Sequence, residues 1–549
     1  MKQNINQKIE SQKKIFLATI LSFVFFIVYD MMVLQPQQIA QQNAIQAQQK
    51  LAKANQPQTT QTVQTPQLKS EQVAPATNQA PQIAGEVTKP EIVAPATITK
   101  MASIVTTKNT KIEIDEFGRI AQVTLLGKVY HDEDGKQIKL FDGTESVKPL
   151  EVRFSDATLN DFAFKSKVTV SQSSINATNS AQNLTITQTL GEVTLTKNLK
   201  FYPDGHYDVK ISTSKPAQFF VSNGFRPSAK VDVYAVHGVL LKLADDTTTI
   251  IKDEDLKSNQ NIVGIKIASS FDRYYATMLY NLNSTFEITL MPTKDESPQV
   301  FIHANNSFDA SGYIGPKHYA TLNAISPELT ATIEYGWFTF IAKPMFILLS
   351  YLHSLFGNWG WAIVVITIMI KLVLYPLTYK GMVSMQKLKD LAPKIKQIQE
   401  QYKKEPQKMS SHMMELYKKH DANPMGGCLP MILQVPVFFG IYRVLVNAIE
   451  LKGAEWILWI EDMSLMDPYY VLPILMGITM YIQQKITPNT MQDPMQKKMF
   501  EFLPVIFTFF FAMFPAGLTL YWFMNNLLTV AQQYYINKLF AKKKALFRK

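Results

Sequence analysis

The sequence predicts a mixed architecture: a polytopic α-helical membrane bundle of six transmembrane helices, joined to a large all-β, sandwich-type domain on the outer side of the membrane. Three observations carry this. Long apolar runs gather near the N-terminus and between residues 335 and 540. Residues 101–330 hold short alternating stretches and frequent turn residues instead. The connecting loops switch between basic and acidic in step with the apolar runs. Whole-chain averages hide the split: 549 residues at 47% hydrophobic and 18% charged resemble a soluble protein only because a polar half is averaged with an apolar one. The single cysteine, Cys428, excludes an intrachain disulfide framework and a multi-cysteine zinc site. The +11 formal charge could suit nucleic acid, but Lys on cytoplasmic loops accounts for it in a membrane protein, and no specific nucleic-acid binding is expected.

A bilayer core of about 30 Å needs about 20 mostly apolar residues in helical form. Residues 1–14, with Lys2, Lys8, Lys13 and Lys14, form a cytoplasmic N-terminus, and residues 15–34 form the first span. That run is longer than a signal-peptide core of roughly 7–15 residues, and no small-x-small cleavage site follows, so it reads as an uncleaved anchor. Five further spans fall at 358–379, 427–448, 470–487, 499–515 and 516–538, the last two separated by the turn Phe514-Pro515-Ala516-Gly517.

Charge fixes the orientation. Residues 379–425 hold ten Lys against five Asp or Glu, so the loop 380–426 is cytoplasmic. The loop 449–469 carries Glu450, Glu455, Glu461, Asp462 and Asp467 against Lys452, so it lies outside. The loop 488–498 and the tail 539–549 are basic again, on the same side as the N-terminus, as six spans require. Five of the six tryptophans (Trp337, Trp359, Trp361, Trp456 and Trp459) fall at the outer interface.

Residues 35–100 contain sixteen Gln, seven Pro and no aromatic residue, a composition that cannot offset chain ordering by burial. A disordered tether is expected there. In the β region, Val193–Phe201 and His206–Thr213 flank Pro203-Asp204-Gly205 and read as a hairpin. His206, His237, His303 and His318 show no metal-ligand spacing, and no nucleophile elbow or phosphate loop occurs. A binding or spacer domain is expected at 101–330, with an envelope enzyme as the competing class. Residues 331–357 are amphipathic in part, and Pro344 disfavours a regular span, so a helix along the outer membrane surface is expected. In the cytoplasmic loop, Met385, Leu388, Leu391, Ile395, Ile398 and Tyr402 recur at three- and four-residue steps, and the pattern resumes over Met409–His420. A helical hairpin with a basic outer face follows, either simply solvated or a docking surface.

Lys371 is the most informative residue. It lies about eleven residues past the outer boundary, roughly 16 Å deep at about 1.5 Å per residue. A lipid-facing cation there costs about 2.5–3.5 kcal/mol even on permissive insertion scales. It can snorkel to the inner headgroups, pair with a buried acid, or face a water-filled cavity in the bundle. No carboxylate lies at comparable depth in the C-terminal spans. Thr367 lies one turn before Lys371 on the same face, while Gln434, Gln483, Gln484, Asn525, Asn526, Gln532 and Gln533 add polar groups to other spans. Each alone serves as interhelical glue. Together they favour a hydrated groove, which a small-solute transporter would also contain, although no internal repeat is evident.

Several motifs are similar to the YidC/Oxa/Alb family of membrane insertases, of the Gram-negative type. They are Leu374-Tyr-Pro-Leu-Thr378, Asn423-Pro-Met-Gly-Gly-Cys-Leu-Pro430 with Gln434-Val-Pro436, and Asp467-Pro-Tyr-Tyr-Val-Leu-Pro-Ile-Leu-Met-Gly477. Asp493-Pro-Met-Gln496, Pro504-Val-Ile-Phe507, Phe514-Pro-Ala-Gly-Leu518 and Tyr521 with Asn525-Asn526 continue the series. The resemblance covers 335–540 closely, and the anchor, tether and β domain match the family arrangement. It implies a five-helix core that inserts nascent membrane proteins into the bacterial inner membrane, with a chaperone role in their folding, through a groove open to the cytoplasm and to lipid. Lys371 matches the groove's basic position, usually arginine, and lysine keeps the charge without the planar fork. Thr367 matches a groove position, Trp522 stands where tyrosine is common, and Asn525 lies beside it. Pro430, Gln434 and Pro436 correspond to a substrate-contacting face of the third span, and Ile506, Phe507, Phe510 and Phe511 to one of the fifth. The implied partners are nascent chains, the bilayer, the Sec translocon and the ribosome. No enzymatic step, nucleotide or metal is implied, and the large domain is periplasmic with both termini cytoplasmic.

Overall fold

The computed structural model describes residues 100–131, 135–143, 147–228, 236–293, 297–402, 405–420, 422, 429–487 and 494–546. Residues 1–14, the predicted first span, the predicted tether up to residue 99, Cys428 with the Asn423–Cys428 motif, and Asp493 lie outside the described residues. The chain divides into two compact units at Gly315/Pro316.

The first unit is β-rich. A four-stranded sheet sets Ile120–Leu125, Thr110–Asp115, Met101–Thr106 and Ser174–Asn176 side by side. A larger sheet includes the expected hairpin, in which Leu195 pairs with Thr213 and Phe201 with Tyr207. Its turn needs Gly205, whose φ of 97° lies where only glycine is unstrained. The inner face of Val193–Phe201 presents Val193, Leu195, Leu199 and Phe201, all buried, as a two-residue period dictates. Lys197 falls in that inward series. Its ammonium donates to the carbonyls of Gly118 and Leu150, each at 2.8 Å. The nearby Arg119 bridges Asp115 (2.9 Å) and Glu151 (3.1 Å). Desolvation lowers the Lys197 pKa to about 8. A helix, α1 (Ala157–Lys165), begins at Asp156, whose side chain accepts the Leu159 N–H at 2.8 Å.

The β unit ends at Gly315, earlier than the boundary at 330 expected from the sequence. The physical reason is that α2 (Tyr319–Ile325) and the turn after it are tied to the helical unit. The Tyr319 N–H donates to Glu450 at 2.9 Å, and Lys343 Nζ donates to Thr330 Oγ1 at 3.3 Å.

In the second unit, α3 (Thr339–Phe356) runs on through Pro344 and is apolar on both faces. Ala342, Phe346, Leu349 and Leu352 pack inward, while Phe340, Ile347, Tyr351 and Leu355 are exposed. Helix α4 (Trp359–Gln401) is 43 residues long and unbroken, so the predicted span 358–379 and the first hairpin arm form one helix. The change from apolar to amphipathic near residue 380 alters which face is buried, not the backbone period. Helix α5 (Pro406–Lys419) packs back on it, with Leu388, Leu391 and Ile395 forming a small core against Met413, Leu416, Tyr417 and Ala422. Then follow α6 (Leu429–Asn447), α7 (Val471–Ile486), α8 (Pro494–Phe511) and α9 (Ala516–Leu546).

Among the described residues, two helices are long and apolar enough to cross a membrane, α3 and α4. Only α4 is one of the six predicted spans. Of the other predicted spans, the first lies outside the described residues, α7 has only 16 residues, α8 holds Lys497, Lys498 and Glu501 within its 18 residues, and the amides Asn525, Asn526, Gln532 and Gln533 lower the hydropathy of α9.

Candidate functional site

Of the polar residues singled out by sequence, Lys371, Gln434, Asn525 and Gln532 meet along the contact of α4, α6 and α9, whereas Gln483 and Gln484 lie on α7. Lys371 Nζ donates to Thr529 Oγ1 on α9 at 2.8 Å. Among the described residues no carboxylate pairs with it. Gln434 Nε2 on α6 donates to Asn525 Oδ1 on α9 at 3.0 Å, and Asn525 is buried. Further along the same seam, Gln532 Nε2 donates to Thr378 Oγ1 at 2.8 Å. Three helices are thus tied by neutral amides and hydroxyls around one ammonium.

Thr367 is 1% exposed, and its hydroxyl donates to the Ile363 carbonyl at 2.6 Å. It faces inward as its spacing from Lys371 implies, but its proton is committed to its own helix. Trp522 packs between Phe438 and Phe511, with ring centroids 4.8 Å and 5.3 Å away. Its Nε1, together with Asn526 Nδ2, is a buried donor with no hydrogen-bond partner among the described residues. Such donors cost several kcal/mol in an apolar medium unless water or a guest's acceptor reaches them.

The residues expected on the substrate-contacting faces divide. Ile506 and Phe510 are exposed at 61% and 51%, continuous with Phe502, Val505, Phe509 and Met513. Phe507 is half-buried and stacks on Phe511, whereas Phe511 is 5% exposed and packs inside against Trp522 and Phe514. Consecutive aromatic residues on one helix cannot all share a face, and their composition alone does not fix the rotation. Pro436 lies half-buried in α6. Pro430 belongs to the start of the same helix, and its side chain lies outside the described residues.

Two charged groups passed over in the sequence are neutralised by partners. Arg443 on α6 faces Glu334 at 3.8 Å, and Glu501 at the start of the fifth predicted span faces Lys485 at 3.9 Å. Thr529 was missed altogether, because one threonine among apolar residues gives no signal until the fold sets it opposite a cation.

The acidic loop 449–469 closes one end of the unit. Gly360 lets Trp456 lie against the first turn of α4, where a β-carbon would meet the indole at 2.0 Å. Asn358 caps that turn by accepting the Trp361 N–H at 3.0 Å, and its amide donates to the Glu455 carbonyl at 3.0 Å. The backbone N–H groups of Ala516 and Gly517 donate to Leu465 and Met463, at 2.7 Å and 2.9 Å.

Comparison with known proteins places these features. Residues 351–544 match the family model of the 60Kd inner membrane protein, and residues 269–348 match that of the YidC periplasmic domain. The membrane protein insertase YidC of Campylobacter jejuni is 47% identical over 540 residues, covering 98% of each chain. That of Wolinella succinogenes is 49% identical, covering 86% of this chain and 89% of its own. A solved structure, of an active YidC insertase with the first transmembrane domain resolved, is 20% identical and covers 81% of this chain and 95% of its own, at a TM-score of 0.36. Residue matches of this extent define an inner-membrane protein with a periplasmic domain. The chain belongs to the YidC family of membrane protein insertases.

Proposed function

We propose that this chain inserts the transmembrane segments of nascent proteins into the inner membrane and assists their folding there, alone or beside the Sec translocon, with the ribosome as a further partner. The reading includes six spans, cytoplasmic termini and a groove lined by Lys371, Thr367, Gln434, Trp522 and Asn525. The observation that carries it is the ammonium of Lys371 at the α4–α9 contact, held by a neutral hydroxyl. A cation with no counter-charge among the described residues is available to a guest carboxylate.

A substrate's short hydrophilic end enters between the helices from the cytoplasm, where polar side chains and water replace bulk solvation. Its apolar segment lies meanwhile along the exposed side chains of α8, Ile506 and Phe510 among them. A shorter polar path through hydrocarbon lowers the barrier. Partitioning of the apolar segment, worth about 25 cal/mol per Å2 of surface, completes the step. The chain's residues carry out no covalent step in this reading, and it calls on no cofactor. Purified chain reconstituted in liposomes tests it. A small two-span coat-like substrate is expected to insert without any other translocon, and failure to insert above protein-free liposomes contradicts the proposal.

A further inference from the structure

Lys371 and Thr529 form a directional pair. An ammonium has only donors, so Thr529 Oγ1 must accept from Lys371 at 2.8 Å. The threonine's single proton goes elsewhere: Oγ1 lies 2.7 Å from the Asn525 carbonyl one turn earlier. That back-bond is a common habit of threonine in helices, and here it fixes the hydroxyl so that its lone pairs face α4. Asn525 is held in turn by Gln434. The acceptor that meets the cation is therefore oriented by α9 itself and braced from α6.

We infer that Thr529 is a positioning residue for Lys371: it keeps the ammonium at the α4–α9 seam and yields it to the carboxylate of an incoming acidic segment. This rests on the insertase reading above and extends it to substrate selectivity. A neutral hydroxyl suits the role because an ammonium–carboxylate contact adds the attraction of two opposite unit charges, which an ammonium–hydroxyl bond lacks, so exchange favours the guest. An acidic residue in place of Thr529 would hold the cation against exchange. A smaller apolar residue would leave lysine's flexible stem free to carry the charge toward the headgroups. The competing role is a structural rung, as in the Gln532–Thr378 pair seven residues along α4.

The experiment compares insertion into liposomes of two substrates differing only in an acidic or an uncharged hydrophilic tail. The full-length chains are wild type, Thr529→Val, Thr529→Ser, Lys371→Ala and the double variant Lys371→Ala/Thr529→Val. Thr529→Val keeps the shape and removes the acceptor. It should lower insertion of the acidic tail about fivefold, the worth of one hydrogen bond, and leave the uncharged tail within about twofold. Thr529→Ser should restore the acidic tail, and Thr529→Val should add nothing once Lys371 is alanine. Equal loss for both tails, no rescue by serine, or further loss in the double variant assigns Thr529 a structural role and overturns the inference. A wild type that discriminates between tails while Thr529→Val matches it overturns the inference alone. A wild type that inserts both tails equally overturns the electrostatic part of the insertase reading, and this inference with it.

Discussion

The indole Nε1 of Trp459 donates to Oδ1 of Asp467 at 2.9 Å, and the same carboxylate receives the N–H groups of Tyr469 at 3.0 Å and Leu472 at 2.6 Å. Asp467 is 2% exposed, at the first turn of α7, where the free amides and the helix dipole favour an anion. One carboxylate thus joins the acidic loop to a helix of the bundle. Asp467→Ala leaves three donors without their acceptor and should cost on the order of 3 kcal/mol, read as a lowered Tm in detergent. Trp459→Phe removes one bond and should cost about 1 kcal/mol. Equal losses would mean that packing, not the carboxylate, holds the loop.

Helices α7 and α8 cross at Gly477, where a β-carbon would lie 1.9 Å from Thr508 Oγ1. Gly477→Ala should destabilise by about 1–3 kcal/mol through overpacking. Thr508→Ala removes the clashing oxygen and leaves a contact of 3.2 Å to its own Cβ, so the double variant should recover much of the loss. Strictly additive stabilities in the four-membered cycle would contradict this close approach.

Ile506 and Phe511 share a helix but not an environment, at 61% and 5% exposed. Phe511→Ala opens space beside Trp522 and should cost about 3–5 kcal/mol. Ile506→Ala should change stability by under about 1 kcal/mol while shortening the apolar path offered to a substrate. Thermal unfolding in detergent, paired with insertion yield, separates the two. Similar stability losses would place both residues in the core.

In the β unit, burial of Lys197 gives a pH dependence with a definite sign. Its folded pKa of about 8 lies below lysine's usual 10.5. Below pH 8 both folded and unfolded chains hold the proton, and burial of the charge weighs fully against folding. Between the two values the folded chain has released a proton that the unfolded chain keeps, so stability rises with pH. Burial also raises the phenol pKa values of Tyr207, Tyr275 and Tyr313, and these oppose the trend above pH 10. Denaturant midpoints of the full-length chain should therefore climb from pH 8 to pH 10, and Lys197→Met should flatten that climb. A midpoint indifferent to pH in this window would contradict the buried-ammonium assignment.

The elements legible in the sequence are those whose signal is local. The hairpin around Pro203-Asp204-Gly205 follows from alternation plus a turn that needs positive φ. Lys371 stands out because hydrocarbon makes an isolated cation expensive, and the structure gives it a polar partner inside the bundle. What could not be read depends on rotation and distance. Thr529 acquires its part only when α9 is laid against α4, 158 residues away in sequence. Phe511 looks like its neighbours until the rotation of α8 turns it toward Trp522. Helix α4 passes residue 379 without a break because hydropathy changes there while the 3.6-residue period does not. The hydrogen bonds that draw residues 316–330 into the helical unit connect them to Glu450 and Lys343, partners that no turn signal announces.

The central claim is that the Lys371 side chain faces a hydrated space reached from the cytoplasm. Cysteine labelling tests it most directly: Lys371→Cys in a Cys428→Ser background, with a charged, membrane-impermeant maleimide added from either side of the membrane. Labelling from the cytoplasmic side, blocked by a bound substrate with an uncharged hydrophilic tail and absent from the outer side, is the predicted result. No labelling from either side, while Lys380→Cys on the exposed part of α4 reacts readily, would contradict it.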